Sequence, residues 1–407
     1  MKLSTPRGIR DIPPEEYEAM LDILDIFRRK CRIFGFKLME PATIEKFEVL
    51  ALKSGEEIEK EIYSFIDKGG RKLGLRFDLT VGLTRYVVSR PELQKPVKLG
   101  AFSIQWRYDE PQKGRYRSFY AWDIEIYGGD EVYSAVETIT FTDELLKDTG
   151  LSEYTIKISD RRVVENILRR KYNIENPIQV MRILDKWGKL SEKDIIKHLI
   201  EIGLNENVAK DIIKTFFQSK RIDYDDVEAD KLNRLLDLLK TIGLNSVELD
   251  LSIVRGLDYY DGIVFEVRPK NQFLSIVGGG NYSSLVKVFG GDFNAFGAAG
   301  GIERLLMYTH KKPEEDRYGV YIIPIIKEAE AMVIDICRQL RSLGIRCEYP
   351  LASRSINKNL RYAVRNSYKW ALFIGEEEMR GGYYTLKDLD SGKQYKKTLN
   401  DIINTFK

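Results

Sequence analysis

Three features of the 407-residue chain predict an α+β architecture, an antiparallel sheet flanked by helices and followed by a separate α/β domain. Apolar–polar alternation with a period of two dominates residues 99–127 and returns after residue 246. Helical periodicity fills the stretch 160–245, and from Tyr318 strands alternate with helices to the end. A chain of this length makes two to three domains at ~100–200 residues each. The expected division is a sheet domain in two parts, 1–171 and 246–312, a helical insertion at 172–245, and a terminal domain at 318–407.

Residues 14–35 form an amphipathic helix in this reading: Pro13-Pro14 opens it, Gly35 ends it, and Met20, Ile23, Leu24, Phe27 and Cys31 recur three or four apart. A strand over Phe36–Glu40 stops at Pro41, another covers 73–78, and a short helix starts at Thr80 and ends near Pro91. Leu99–Asp109 and Ser118–Tyr127 are the arms of a hairpin with a long basic loop, 110–117. On the second arm Phe119, Ala121, Asp123 and Glu125 share one face, and Tyr120, Trp122, Ile124 and Ile126 the other, which calls for helices behind it. Asp160 is placed as the N-cap of a helix from Arg161 to Tyr172. Val247–Val254 and Ile263–Val267 are expected to pair as a hairpin about Asp261-Gly262, and Phe273–Val277 to be a strand closed by Gly278-Gly279-Gly280. Gly297–Gly301 leads into a helix at Ile302. After a linker at Lys311–Glu315, the terminal domain shows strands at Val320–Ile325, Arg346–Tyr349 and Trp370–Ile374, helices at Glu328–Leu343 and Ile356–Tyr368, and a hairpin of Tyr383–Lys387 with Gln394–Lys397.

Composition narrows the function. Apolar residues make up 43% and charged residues 31%, ordinary for a folded chain, and the net charge of +3 requires any basic surface to be local. No run of eighteen apolar residues suggests a membrane span, and cytoplasmic residence is expected. Three cysteines without CxxC spacing support neither a disulfide framework nor a zinc site. The two histidines, His198 and His310, fall on helix ends or the surface, which leaves no histidine base or zinc motif. No GxxxxGK[ST] loop is present, so a nucleotide must be bound in another way.

Candidate binding groups cluster on the polar sheet face. Asp123 and Glu125 sit two apart, with Arg107 read as lying beside them across the hairpin, a set able to hold a zwitterion and a phosphate; the same pattern also suits an ordinary salt-bridged sheet face. Gly278-Gly279-Gly280 and Gly300-Gly301 either let a ligand approach the backbone or make tight turns. Arg255-Gly256-Leu257-Asp258-Tyr259-Tyr260 puts a fixed cation and two hydroxyl-bearing rings at a strand end.

In this order, these segments resemble the histidyl-tRNA synthetases, over essentially the whole chain. Pro6-Arg7-Gly8-Ile9-Arg10-Asp11 is similar to their N-terminal signature, and the helix at 14–35 with its strand to class II motif 1. The run from Arg107-Tyr108-Asp109-Glu110 to Arg117 resembles motif 2, and Gly300-Gly301-Ile302-Glu303-Arg304-Leu305 motif 3. Ile253–Tyr260 and Gly278–Tyr282 resemble the two histidine-specific motifs, and residues 318–407 the anticodon-binding domain.

The resemblance implies an ATP-dependent ligase that forms histidyl-adenylate and passes the histidyl group to tRNA(His). Arg107 and Arg255 are the implied catalytic cations at the α-phosphate, and Arg107, Asp109, Arg115, Phe119 and Arg304 the implied ATP site, with Phe119 under adenine and Mg2+ arriving with the nucleotide. L-histidine falls to Asp78 and Thr80 at the ammonium and Glu125 and Tyr260 at the imidazole, with Tyr282 helping to close the pocket and Arg255 and Tyr259 also implied to bind it. Contacts to tRNA fall to Gln112, Lys113 and Arg117 and to a basic stripe of Arg354, Lys358, Arg361 and Arg365, a pattern that also suits a solvated helix face. No side chain is assigned to a metal. A homodimer follows from motif 1, whose apolar surface class II enzymes bury against a twofold copy.

The chain departs from the family at Ala121, where Gln is usual, at Asn281 and Ser283, where Arg and Asp are usual, and at Asp109, where Glu is usual. Asp78-Leu79-Thr80 has the archaeal and eukaryotic form. These departures keep a second reading open: a synthetase-like regulatory paralogue that binds a ligand or tRNA without charging it.

Overall fold

A computed structural model describes residues 3–52, 56–112, 114–184, 186, 190–218, 221–222, 224, 226–253, 260–272, 274–309, 317–352 and 355–406. Arg255, Tyr259, Lys113, Arg354, His310 and the expected linker lie outside the described residues. The chain divides into two compact units, Met1–His310 and Lys311–Lys407.

The first unit is built on an eight-stranded sheet. Its strands run, in spatial order, Lys37–Leu38, Val97–Trp106, Ser118–Tyr127, Ala295–Gly301, Val277–Asn281, Ile263–Pro269, Tyr154–Asp160 and Val247–Leu249. The six inner strands pair antiparallel. Both edges pair parallel, Lys37–Leu38 with Val97–Trp106 and Val247–Leu249 with Tyr154–Asp160, so the sheet is mixed rather than purely antiparallel. A smaller three-stranded sheet joins Ile44–Lys46, Lys72–Leu75 and Ser64–Ile66.

The apolar face of the large sheet is covered as its alternation requires. Helices Pro14–Phe34 and Glu131–Asp148 bring Phe27 and Phe141 onto Trp122, with ring centroids 6.0 to 6.2 Å apart. Each such fully buried ring contributes roughly 1.5–3 kcal/mol of transfer free energy. Gly35 ends the first helix in the left-handed region at φ 75, which a side chain resists. Asp130 caps the second by accepting from the backbone N–H groups of Val132 and Tyr133. Asp160 caps Arg161–Asn166 likewise, accepting from Arg162 N, and the helix continues as a π-helical turn, Ile167–Lys171. Helices Pro177–Leu184, Glu192–Glu201, Glu206–Gln218 and Val227–Thr241 follow, and their buried residues, Leu199, Ile212 and Leu235 among them, continue the core beneath the sheet. His198 sits in the last turn of Glu192–Glu201.

Two expectations need correction. Val247–Val254 does not pair back on Ile263–Val267. The strand stops at Leu249 because Asp250 turns the chain: its Oδ1 accepts from Ser252 N and Oγ, and its Oδ2 from Lys157 Nζ at 2.7 Å. Tyr154–Asp160 takes the place between the two segments. Gly278-Gly279-Gly280 does not close a strand but forms its middle, Val277–Asn281, and at Gly279 and Gly280 bulk from neighbouring strands fills the space of the missing side chains. A Cβ at Gly279 would lie 2.4 Å from the Phe265 ring, and one at Gly280 2.6 Å from Ile263 O.

In the second unit, strands Cys347–Glu348, Val320–Pro324 and Trp370–Ile374 are parallel, and Tyr384–Asp388 and Gln394–Lys397 extend the sheet antiparallel. Helix Glu330–Ser342 packs Val333, Ile336 and Leu340 into one apolar cluster, and helix Ile356–Arg365 contributes Ala363 to another, with Tyr321 and Tyr368.

Candidate active site

The site is laid out along the strand Ser118–Tyr127. Trp122, Ile124 and Ile126 turn into the helical core, while Asp123 and Glu125, on the other face, are each only 1% exposed. In register beside Glu125 stand Leu99 and Gly297, and beside Asp123 stand Ala101 and Ala299. Arg107 is therefore not across the hairpin from these carboxylates. It lies beyond the hairpin end, donating from Nε to Phe77 O at 2.9 Å, with its guanidinium 5.3 Å from the centre of the half-buried Phe119 ring. Its electrostatic partner in the pocket is Asp78.

Gly297 is the residue that makes room for Glu125. A Cβ there would sit 1.6 Å from Glu125 Oε2, so no other residue leaves the carboxylate where it is. That oxygen accepts from the hydroxyl of Tyr282, itself buried, and behind Tyr282 the Tyr127 hydroxyl lies 3.2 Å from Thr84 Oγ1. Thr80 Oγ1 donates to Asp123 Oδ2 at 3.2 Å, while Asp123 Oδ1 is buried with no hydrogen-bond partner. Thr80 and Thr84 stand one turn apart on the helix Thr80–Val88, whose start Asp78 holds by accepting from Val81 N at 3.0 Å. Burial raises all three carboxyls: Asp78 to about 6 despite the nearby Arg107 charge, Glu125 to about 7 despite its hydroxyl donors, and Asp123 well above the usual range, with the Glu125 charge adding to the rise. Burial also raises the Tyr127 phenol, so it stays protonated.

The loop after Arg107 is folded by its own backbone. Gln112 and Arg115 exchange N–H···O bonds of 3.0 and 2.9 Å about Gly114, at φ 73, where a Cβ would meet Met307 Sδ at 2.6 Å. Arg115, exposed, pairs with Asp109. Arg304 reaches the same turn, donating to Gly114 O at 3.4 Å and to Ser275 O at 3.1 Å. Arg117 is buried. It donates from Nε to Asp109 O at 2.9 Å, lies over the Tyr108 ring at 3.9 Å, and its backbone N–H donates to Gly8 O, so it holds the loop and the N-terminal segment together. Gln112 is exposed on the same loop.

Tyr260 packs partly buried in the cluster that contains Tyr282 and Tyr127. Asn281 and Ser283 serve a turn beside it: Asn281 Oδ1 accepts from Ser283 N at 3.0 Å and Oγ at 2.8 Å, and Ser283 Oγ accepts from Ala295 N at 3.1 Å. Ala121 is buried between Ser103 and Gly301. In the second unit, Lys358, Arg361 and Arg365 are exposed along the helix Ile356–Arg365. Sequence reasoning missed Tyr127, Thr84 and Gly297. Tyr127 continues the Asp123–Glu125 alternation and Thr84 follows Thr80 by one helical turn, so periodicity could have found both; nothing local marks Gly297.

Among the described residues no group of three or more His, Cys, Asp and Glu could hold a metal ion, and no helix is long and apolar enough to cross a membrane.

Comparison with known proteins bears on this arrangement. A family model for histidyl-tRNA synthetase matches residues 8–305, and one for an anticodon binding domain matches residues 319–407. The histidine–tRNA ligase of Pyrococcus furiosus is 34% identical, with 98% of each chain covered. That of Pyrobaculum islandicum is 33% identical, covering 98% of this chain and 97% of its own. Among solved structures, a histidyl-tRNA synthetase from Nostoc sp. PCC 7120 superposes with a TM-score of 0.83 at 23% identity, covering 100% of this chain and 99% of its own. A Bacillus halodurans protein titled ATP phosphoribosyltransferase regulatory subunit/histidyl-tRNA synthetase superposes at 0.78 and 20% identity, covering 92% and 98%. Likeness at that identity speaks for the fold; it is the full-length sequence matches above 30% identity, joined to the family model, by which this chain belongs to the histidyl-tRNA synthetase family.

Proposed function

We propose that the protein activates L-histidine with ATP and transfers it to the 3′ end of tRNA(His). The observation that carries this reading is the buried Glu125 carboxylate, oriented by the Tyr282 hydroxyl and admitted by Gly297, on the face of the sheet turned away from the helical core. A ring N–H donating to that carboxylate makes a charge-assisted hydrogen bond in a dry site, and an amino acid without the N–H leaves the carboxylate buried and unpaired.

The remaining groups fit the reaction. The α-ammonium goes to Asp78 and Thr80. The histidine carboxylate oxygen attacks the α-phosphorus, a new acyl–phosphate bond forms, and the bond to the β-phosphate oxygen breaks, releasing pyrophosphate. Both reactants are anions, so the requirement is positive charge placed in advance. Arg107, anchored on Phe77 O, supplies it at the α-phosphate, and Arg255 is assigned there by family resemblance. Phe119 offers its ring to adenine. Arg115 and Arg304, which flank the Gly114 turn, take the outer phosphates, and Arg115 leaves Asp109 to do so. Mg2+ arriving with the nucleotide would add charge neutralisation at the phosphates. Gln112 and Lys113 lie on the loop that meets the acceptor end, Arg117 positions that loop, and Arg354, Lys358, Arg361 and Arg365 contact tRNA phosphates from the anticodon-binding unit. A twofold dimer buries the exposed Ile33, Leu38 and Ile44 of the motif 1 region. The test is charging of tRNA(His) transcript with labelled histidine. Product that depends on both ATP and the transcript is expected; its absence from folded protein overturns the reading.

A further inference from the structure

Two carboxylic acids stand side by side in the pocket, both 1% exposed, and imidazole recognition needs only one. Their surroundings on the sheet offer no compensation. Leu99 and Ala101 flank them on one side and Gly297 and Ala299 on the other, none with a polar side chain. Among the described residues neither acid forms an ion pair, and the groups facing them are hydroxyls and one further acid. Thr80 comes from the helix Thr80–Val88, with Thr84 behind it on Tyr127, Asp78 from just before the helix, Tyr127 from their own strand, and Tyr282 from the end of Val277–Asn281. Each hydroxyl that donates satisfies one oxygen, Thr80 that of Asp123 and Tyr282 that of Glu125. Asp123 Oδ1 is left buried with no donor, while the Asp123 and Glu125 carboxyls lie within hydrogen-bonding contact of each other. Two like charges at this depth, with no cation paired to either among the described residues, are not sustained, and the ordinary resolution is a proton held between them.

We propose that Asp123 and Glu125 act as one acid pair sharing a single proton, with Asp123 as the specificity-determining partner that keeps the pocket singly charged. The role rests on the reading of the site as a histidine pocket. A pair with one charge offers a neutral imidazole one acceptor for its N–H. A doubly charged pair would instead favour the ammonium or guanidinium of lysine or arginine. The asymmetry of the environment assigns the proton: Glu125 has the Tyr282 hydroxyl to support its charge, and burial and the Glu125 charge both push Asp123 higher. Coupled acids titrate as a unit, so the pair loses its two protons in separate steps, both above the ordinary carboxylate range.

Two measurements on the intact protein test this. The first is the pH profile of kcat/KM for histidine in ATP–pyrophosphate exchange, from about pH 5.5 to 9.5, for wild type and Asp123→Asn. Titration of free histidine is common to both and cancels. An amide replaces a protonated acid almost without electrostatic change, so the acid limb should stay within about half a pH unit and kcat/KM should fall by less than about tenfold. If Asp123 were ionised, its removal would relieve Glu125 of a neighbouring charge, and the acid limb would move down by about one unit or more, overturning the shared proton. The second is infrared difference spectroscopy of the ligand-free protein at about pH 8, where a protonated-carboxyl band present in wild type should vanish in Asp123→Asn. An active enzyme lacking that band overturns the shared proton alone. A wild type that shows the band but no exchange with histidine overturns the histidine reading and with it the specificity role.

Discussion

Burial sets ionisation against stability at Glu125. Its folded value of about 7 stands above the ordinary 4.5, so between those values the folded protein binds more protons than the unfolded chain. Its contribution is therefore favourable at low pH and is lost as pH rises through 7. Holding the charge at pH 8 costs on the order of 3 kcal/mol, from the difference between those two values. Glu125→Gln keeps an acceptor for Tyr282 and removes the charge. We expect it to raise the melting temperature at pH 8, with the gain vanishing at about pH 5, while histidine activation drops roughly 10- to 100-fold from loss of a charge-assisted hydrogen bond. Thermal melts at the two pH values, beside exchange assays, check both arms. Gly297→Ala attacks the same carboxylate from outside. Its methyl would occupy the Oε2 position, so Glu125 must move; KM for histidine should rise by at least about tenfold while KM for ATP changes little. Equal losses for both substrates would mean that the strand, not the carboxylate, had been damaged.

Individual elements were legible where their pattern was local. The Ser118–Tyr127 strand alternates without interruption, and the Pro14–Phe34 helix carries both its stop signal and its stripe. Legibility failed where pairing partners came from far along the chain. Nothing within 247–267 tells that Tyr154–Asp160 will lie between its two strands, and three glycines look like a turn until Phe265 and Gly297 O are seen occupying the space beside them. The pocket was legible in its acids and hydroxyls. Its geometry was not, because Arg107 was placed by hairpin counting whereas the Phe77 carbonyl fixes its position. The loop 107–117 gives a further prediction. Arg117→Ala removes the side-chain donors to Asp109 O and Arg7 O, worth about 1 kcal/mol each, and loosens the N-terminal segment, which keeps the backbone bond from residue 117 to Gly8 O. Amide exchange in residues 6–10 should accelerate, and the exchange reaction with histidine should slow; unchanged protection would show that the segment is held by other contacts.

The molecule as a whole joins a sheet unit that carries every group assigned to adenylation to a terminal unit that carries none. Cleaving the chain after residue 310 should therefore spare histidine activation far more than tRNA charging, provided sedimentation shows the remaining unit folded and dimeric. Loss of activation in such a fragment would contradict the division of labour. The central claim is that a single buried carboxylate, shaped by Gly297 and supported by Tyr282, selects histidine for activation. ATP–pyrophosphate exchange with each of the twenty amino acids, on wild type and Glu125→Gln side by side, tests it most directly. Exchange with histidine alone is expected in wild type, with its sharp reduction in the variant. Exchange with another amino acid, or histidine-dependent exchange that is indifferent to Glu125→Gln, would contradict it.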